Sequence, residues 1–509
     1  MKNFKTLFGM MLVALMAASC TNDVNDVLAP EAPQKGYPFV ATIAPKTFDA
    51  TTRTLLTEDT ENGTISSTWE VGDKIIIWYE AESDFPEEVE AEVKKVASDG
   101  SATIVATFEI LPKATDNNAA LYYCTSGSID NYGVDLNGKL NKNLDLRMAD
   151  VTLKVVDGVV TLDGEVSLHA YGSILRISMT DLDNKAVGLK KLVISSKDYY
   201  FEGVDYSFTV TPDPDEFPNV VYVAIAGDEA EHTFWFEATD KDGNPYIAKA
   251  TGTFKPGMYY QTTLKMATGG DLMNSDGSFS ATAETGKTPI GVIAYLGNDA
   301  TVESTADGGG HGLVLALKNA DSNVKWSTDT ETWQFGEEAK VADTDALLRS
   351  TNVSGYTNTK TLVEKTDAGD PEDLFPAAYY AWNYSEKNSS DKAPTGTTGW
   401  FLPSAQQWVK MLTGLGGLSE DQVRWTGFFD GDTAIKNWET ALQKAGSDKY
   451  DTFNTTSSSL ANYWSSSENI YSGAVVFMIE PEDNALMFHN QTKNYIEGTE
   501  MFVRPVLAF

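Results

Sequence analysis

The chain has 509 residues, 38 Lys and Arg against 73 Asp and Glu, and a formal net charge of −35. The length allows about three domains, and hydrophobic and charged fractions of 42% and 22% exclude wholesale disorder. The acidic excess excludes nucleic acid and anionic lipid as partners, two cysteines exclude a disulfide framework, and four histidines without metal-pair spacing speak against a zinc enzyme.

The first predicted element is an address. Residues 1–19 join Lys2 and Lys5 to an apolar run, Leu7 to Met16, and then to Ala17-Ala18-Ser19, the pattern of a secretory signal peptide. Cys20, directly after it, resembles the cysteine of a bacterial lipobox, whose diacylated thiol becomes the mature N-terminus. Such a lipid anchor would hold the protein to the outer membrane without a transmembrane helix. A chance cysteine closing an ordinary signal is the alternative. The acidic segment from Thr21 to Asp26 resembles signals that send lipoproteins to the outer face of the outer membrane, and a solvated tether has the same composition. With Pro30, Pro33 and Gly36, residues 20–36 read as that tether.

From 37 to 266 the apolar pattern has period two, as in Lys74-Ile-Ile-Ile-Trp-Tyr79 and His232-Thr-Phe-Trp-Phe-Glu237. Short strands bounded by Gly, Asp, Asn and Pro turns predict two β-sandwiches, over 37–155 and 156–266. Residues 267–286, rich in Gly, Ser and Asp, read as an interdomain linker. The remainder, 287–509, mixes strands with two helices. Ser404-Ala-Gln-Gln407 has the form of a capping box ahead of Trp408, Met411, Leu412 and Leu415, with Gly416-Gly417 as the stop. Asp432 is expected to cap a second helix carrying Ile435, Trp438, Ala441 and Leu442, closed by Gly446. Both stripes read as core.

No catalytic constellation emerges. Cys124, in Ala119-Ala-Leu-Tyr-Tyr-Cys124, reads as a buried thiol, and His311, among glycines 308–312, as a turn residue without a phosphate-loop lysine. Asp430-Gly-Asp432 offers calcium oxygens, but helix capping accounts for Asp432. No catalytic residue, cofactor or metal ligand is assigned, and the protein is expected not to be an enzyme.

Four segments carry a resemblance. Thr52-Arg53-Thr54 with Trp69-Glu-Val-Gly72-Asp73-Lys-Ile75 comes first, then Leu168 to Ile177, then Val221-Tyr-Val-Ala-Ile225, then Phe254-Lys-Pro-Gly-Met-Tyr-Tyr-Gln-Thr-Thr-Leu264. In this order after a lipobox they resemble the fimbrillin family, the lipoprotein-derived pilins of type V. Further on, Gly399-Trp-Phe-Leu-Pro-Ser404, Tyr463-Trp-Ser-Ser-Ser-Glu468 and Phe502-Val-Arg-Pro-Val506 are similar to a C-terminal domain of bacterial surface lipoproteins. That domain is related to C-type lectin-like and formylglycine-generating-enzyme folds. The resemblances imply a mainly β protein: two tandem transthyretin-like β-sandwiches followed by an α+β C-type lectin-like domain. Trp69, Gly72, Asp73, Trp400, Pro403, Trp464 and Arg504 would be fold-motif residues, with Trp464 set against the Arg504 guanidinium. The cysteine pair of formylglycine-generating enzymes has no counterpart in 287–509.

The implied function is that of a fimbrial (pilus) subunit, a tip adhesin assembled by strand exchange from a lipoprotein precursor. A protease would cut after Arg53 and remove the leading strand Tyr37–Ile43, whose Phe39, Ala41 and Ile43 share one face. A neighbouring subunit's strand would then fill the groove. The segment from Val503 to Phe509 is expected to serve as the end domain's own strand, which makes the protein an acceptor only. Expected partners are other fimbrial subunits and a host or bacterial surface glycan or protein. The alternative is a surface lipoprotein that never polymerises and binds glycan or protein; a glycan-processing enzyme lacks a recognisable carboxylate pair.

Overall fold

The computed structural model describes residues 36–509 except 47–56, 60–63, 84, 114–116, 124–136, 142–143, 165, 171, 202–203, 227–229, 306–307, 329–333, 335–339, 342–352, 367–368, 388, 425–426, 454–459, 470–472, 481 and 496–499. Cys20, Arg53 and Cys124 therefore lie outside the described residues. The fold is mainly β. The chain divides into two compact units, one made of residues 1–179, 188–236 and 249–264, the other of 180–187, 237–248 and 265–509.

The first unit opens with β1 (Tyr37–Ile43), a small hairpin of β2 (Thr57–Asp59) and β3 (Thr64–Ser66), then β4 (Lys74–Glu80), β5 (Pro86–Val96), β6 (Ala102–Phe108) and β7 (Asn118–Tyr123). β8 (Arg147–Val156), β9 (Val159–Leu162) and β10 (His169–Ala170) follow. Outside the hairpin they form one sheet in the order β10-β8-β7-β4-β5-β6-β1-β9, and a further pairing of β8 with β9 closes it on itself. Strict alternation builds this barrel-like sandwich. In β6, Ala102, Ile104, Ala106 and Phe108 are buried and the residues between them are not.

The domain break expected between 155 and 156 is a hairpin instead. Asp157 and Gly158 have φ of 50° and 79°, the two left-handed residues of a tight turn that matches strand twist. Val156 accordingly pairs with Val159, and the first sheet runs on to Ala170. A second sheet follows, made of β11 (Gly172–Asp181), β12 (Leu189–Phe201), β13 (Val204–Val210), β14 (Val220–Ala226), β15 (Glu231–Asp240), β16 (Pro245–Thr253) and β17 (Tyr259–Thr268). Its order is β13-β12-β15-β16-β17-β11-β14.

The second unit is α+β. Its five-stranded sheet runs Phe279–Ser280, Leu272–Asn274, Pro289–Leu296, Gly312–Ala316, Val506–Ala508. The segment 267–286 is thus no linker: Leu272 and Asn274 are wholly buried, and the Asp276-Gly277 composition serves a turn in which Gly277 has φ of 82°. A larger sheet is centred on the strand Ala461–Asn469, which pairs with Ala474–Glu480 and, in parallel, with Glu500–Val503. Tyr463, Trp464 and the three serines after them all lie on this strand, all fully buried.

The capping box holds: Ser404 Oγ accepts from the Gln407 amide at 3.2 Å and Gln407 Oε1 from the Ser404 amide at 2.8 Å, starting the helix Ala405–Thr413. Trp408 from its buried stripe stacks on Phe477 at 4.9 Å. Asp432 is not the cap of the second helix, Asp432–Gln443, but its first residue; Gly431 holds the cap position, and the Asp432 carboxylate instead accepts from Lys436 and Asn484. Four short helices at Gly355–Val363, Pro371–Leu374, Pro376–Trp382 and Tyr384–Lys387 were not expected from apolar spacing.

Candidate functional site

β1 occupies a seam of the first sheet. All seven of its residues pair antiparallel with β6, from Tyr37↔Phe108 to Ile43↔Ala102. On its other side Phe39 pairs with Val160 of β9 and Ile43 bridges to Val166, both in parallel. Phe39 and Ile43 are wholly buried and Ala41 nearly so, which is why the alternation Phe-x-Ala-x-Ile forms a strand here. The Phe39 ring meets that of Phe108 at 5.6 Å. Burial of Phe39 and Ile43 contributes roughly 3–6 kcal/mol to the seating of the strand.

Just past β1 the chain dives into a box of charges and rings. Ala44 donates to the Val166 carbonyl at 2.8 Å. Two residues on, Lys46 places Nζ 3.4 Å from Asp145 Oδ2 and 3.5 Å from Asp73 Oδ2, with 1% of its side chain exposed and none of either carboxylate. Two ring faces complete the enclosure, Tyr123 at 3.6 Å and Trp69 at 4.2 Å from Nζ, both inside cation–π range. Burial pulls the Lys46 ammonium below its ordinary range, with Asp145 and Asp73 opposing it. Burial, reinforced by Asp73 and Asp145, pushes the Tyr123 phenol up.

The sequence motif around Trp69 builds this box. Trp69 Nε1 donates to the Ala44 carbonyl at 2.8 Å, so the indole both roofs the lysine and ties down the chain leaving β1. Gly72, at φ 94°, permits the tight turn in which the Asp73 amide reaches the Glu70 carbonyl at 3.0 Å. The turn aims Asp73 inward, where its carboxylate also accepts from the Glu70 amide at 2.9 Å. Asp145 is held by Arg147 Nε at 2.8 Å and by Ser67 Oγ at 2.6 Å, and Arg147 is itself buried. Four charges of two signs thus share one dry compartment.

The other residues singled out by sequence lie in the second unit and knit its core. Trp400 donates Nε1 to the Asp391 carbonyl at 2.8 Å, Pro403 accepts from the Ser466 amide at 2.9 Å, and Trp464 donates to the Val324 carbonyl at 2.8 Å. Arg504 is wholly buried, bonded to Asn319 Oδ1 at 3.1 Å and the Asp451 carbonyl at 3.0 Å. Its guanidinium lies over Phe453 at 4.9 Å, so Phe453 takes the place expected for Trp464. The same unit buries an ion pair of Lys493 and Glu468. His311 lies at a bend before the strand Gly312–Ala316, in keeping with a turn residue, and its Nδ1 stands 2.6 Å from Glu237 Oε1.

The box residues Lys46, Tyr123, Asp145 and Arg147 escaped the sequence reading. A signal existed in Ala44-Pro-Lys46, directly after the inward apolar positions, and in Asp145-Leu-Arg147, charges at strand period. Among the described residues no group of three or more His, Cys, Asp or Glu could hold a metal ion, and no helix is long and apolar enough to cross a membrane.

No protein-family model and no curated protein matches the sequence. Among solved structures the chain is similar to a fimbrial protein from Bacteroides ovatus, at 16% identity and TM-score 0.32, covering 94% of this chain and 100% of that one. It is also similar to a fimbrial assembly protein from Parabacteroides distasonis, at 12% identity and TM-score 0.22, covering 45% of this chain and 89% of that one. A third is the C-terminally truncated tip fimbrial protein Mfa3 from Porphyromonas gingivalis, at 8% identity and TM-score 0.19, covering 42% of this chain and 81% of that one.

Proposed function

We propose that the protein is a non-enzymatic fimbrial subunit that accepts a strand from a neighbouring subunit, made as a precursor lipidated at Cys20 on the outer membrane. The observation that carries the reading is the position of β1. It is the first described strand, it closes the sheet between β6 and β9, and Arg53 follows its last residue, Ile43, ten positions on. A cut after Arg53 makes β1 a separable peptide, and its departure leaves two unpaired strand edges and three apolar seats. Exposed edges of this kind pair with whatever strand is offered.

The end domain is read as adhesive and tip-facing. Its strand Val506–Ala508 is already paired with Gly312–Ala316 and bridged on the other side by Phe401, so this segment is committed within its own sheet and does not serve as a donor. The decisive experiment is to purify fibres and ask whether the chain is in them, shortened through Arg53. The Arg53→Ala variant is expected to keep its full-length lipidated N-terminus and to be missing from fibres. Incorporation of that variant would remove the mechanism and favour a lipoprotein that does not polymerise.

A further inference from the structure

We propose that the box around Lys46 is a seat for a cationic side chain of the incoming strand, so that the partner is recognised by a Lys or Arg as well as by its apolar residues. The proposal rests on the strand-exchange reading and adds a specificity determinant to it. Lys46 lies between β1 and Arg53, so the cut after Arg53 that frees β1 also removes Lys46. The compartment left behind keeps the carboxylates of Asp73 and Asp145, both with no exposed side-chain surface, and one cation, Arg147, bonded to Asp145.

Among the described residues, the four charges of the box sum to zero with Lys46 present and to −1 without it. An uncompensated buried carboxylate is strongly unfavourable, whereas a replaced cation restores the pairing. The geometry of the vacated seat also selects for charge. Two ring faces stand 3.6 and 4.2 Å from the lysine nitrogen, and such faces favour an ammonium or guanidinium over a neutral or anionic group. A strand ending in an apolar residue would put no cation between Asp73 and these rings. One carrying Glu would gather three carboxylates.

The register specifies where the cation must sit. Phe39, Ala41 and Ile43 fill the inward seats, and Lys46 follows three residues after the last of them. A donor running in the direction of β1 therefore carries inward apolar residues at alternate positions and a Lys or Arg at the third position beyond them. The seat would reject strands that match the groove in hydrophobicity alone, which is a form of partner discrimination.

The test uses the full-length protein cut after Arg53 with an arginine-specific protease, the segment through Arg53 removed under denaturant before refolding and its loss verified by mass, and fluorescent peptides spanning Tyr37–Lys46. Wild-type peptide is expected to bind and the Lys46→Arg peptide to bind nearly as well. The Lys46→Met peptide should be weaker by about thirtyfold, the size of one desolvated cation–π contact. A Phe39→Ser peptide, which spoils an apolar seat and keeps the lysine, reports on the groove alone. Equal binding of the wild-type and Lys46→Met peptides, with Phe39→Ser impaired, would overturn the cation seat and leave strand exchange standing. If no peptide binds, the wild type included, strand exchange itself fails and the seat with it.

Discussion

A lysine with 1% of its side chain exposed persists only because its partners are buried with it. In the intact chain the Lys46→Met substitution takes the ammonium away from Asp73 and Asp145, and removal of one partner of a buried ion pair costs about 3–5 kcal/mol. The variant is expected to unfold at correspondingly lower denaturant. Asp73→Asn added to it should cost less than Asp73→Asn alone, because the two act on one interaction. Additive losses would show that the box is not a unit. Trp69, Gly72 and Asp73 were legible because they sit together in one motif. Lys46 was not, since its burial depends on Asp145 and Arg147, which the fold alone brings near. Elsewhere, His489 has its proton affinity lowered by burial, opposed by the Asn490 carbonyl. The unfolded chain therefore takes up a proton that the folded chain refuses. Stability contributed by the neutral ring is full above the unfolded value of about 6.5 and falls as pH drops from there toward the folded value. His489→Gln should flatten this part of the profile of unfolding midpoint against pH; an unchanged slope would exclude His489 as its source.

Elements differ in how local their causes are. The helix Ala405–Thr413 was legible because Ser404 and Gln407 satisfy each other's amides and the apolar stripe follows at once. Replacing Ser404 with Ala removes an acceptor for an amide at a buried helix start and is expected to cost about 1 kcal/mol, within the usual 0.5–2 range for such caps. Chemical denaturation measures it directly, and a change under ~0.3 kcal/mol would mean that neighbouring groups take over the cap. The short helices between 355 and 387 were illegible for the opposite reason. Two of them begin with proline at the first turn, which is compatible with a helix but reads equally well as a turn. Three of them, Pro371–Leu374, Pro376–Trp382 and Tyr384–Lys387, are too short to show a period, and packing rather than propensity holds them. The segments 156–170 and 267–286 were misjudged through one ambiguity: Asp-Gly pairs mark a hairpin as readily as a break. Only the pairing partners, Val155 with Val160 and Leu272 with Val292, decide between them.

The whole molecule sets a boundary that composition did not reveal. The unit bearing the helices does not begin at 287, because Leu272–Asn274 lies inside its sheet between Phe279–Ser280 and Pro289–Leu296. Nor is it continuous in sequence, since residues 180–187 and 237–248 belong to it. Within that unit Tyr246 and Ile247 pair with Thr268 and Ala267, Ile247 and Ala248 are buried, and Glu237 bonds His311. A fragment of residues 287–509 therefore exposes one edge of Pro289–Leu296 and the apolar surface once covered by Leu272 and Met273. Those two side chains alone are worth about 3–6 kcal/mol, which for a fragment of this size lowers the melting temperature by roughly 10–20 °C. A fragment of 265–509 keeps the strand but lacks 237–248, so it should melt between 287–509 and the helix-bearing unit of the full chain. Circular dichroism melts of the three chains test the order. If 287–509 melts cooperatively at the temperature of the longer fragment, the strand Leu272–Asn274 is dispensable. The boundary read from composition would then describe the folding unit better than the sheet does.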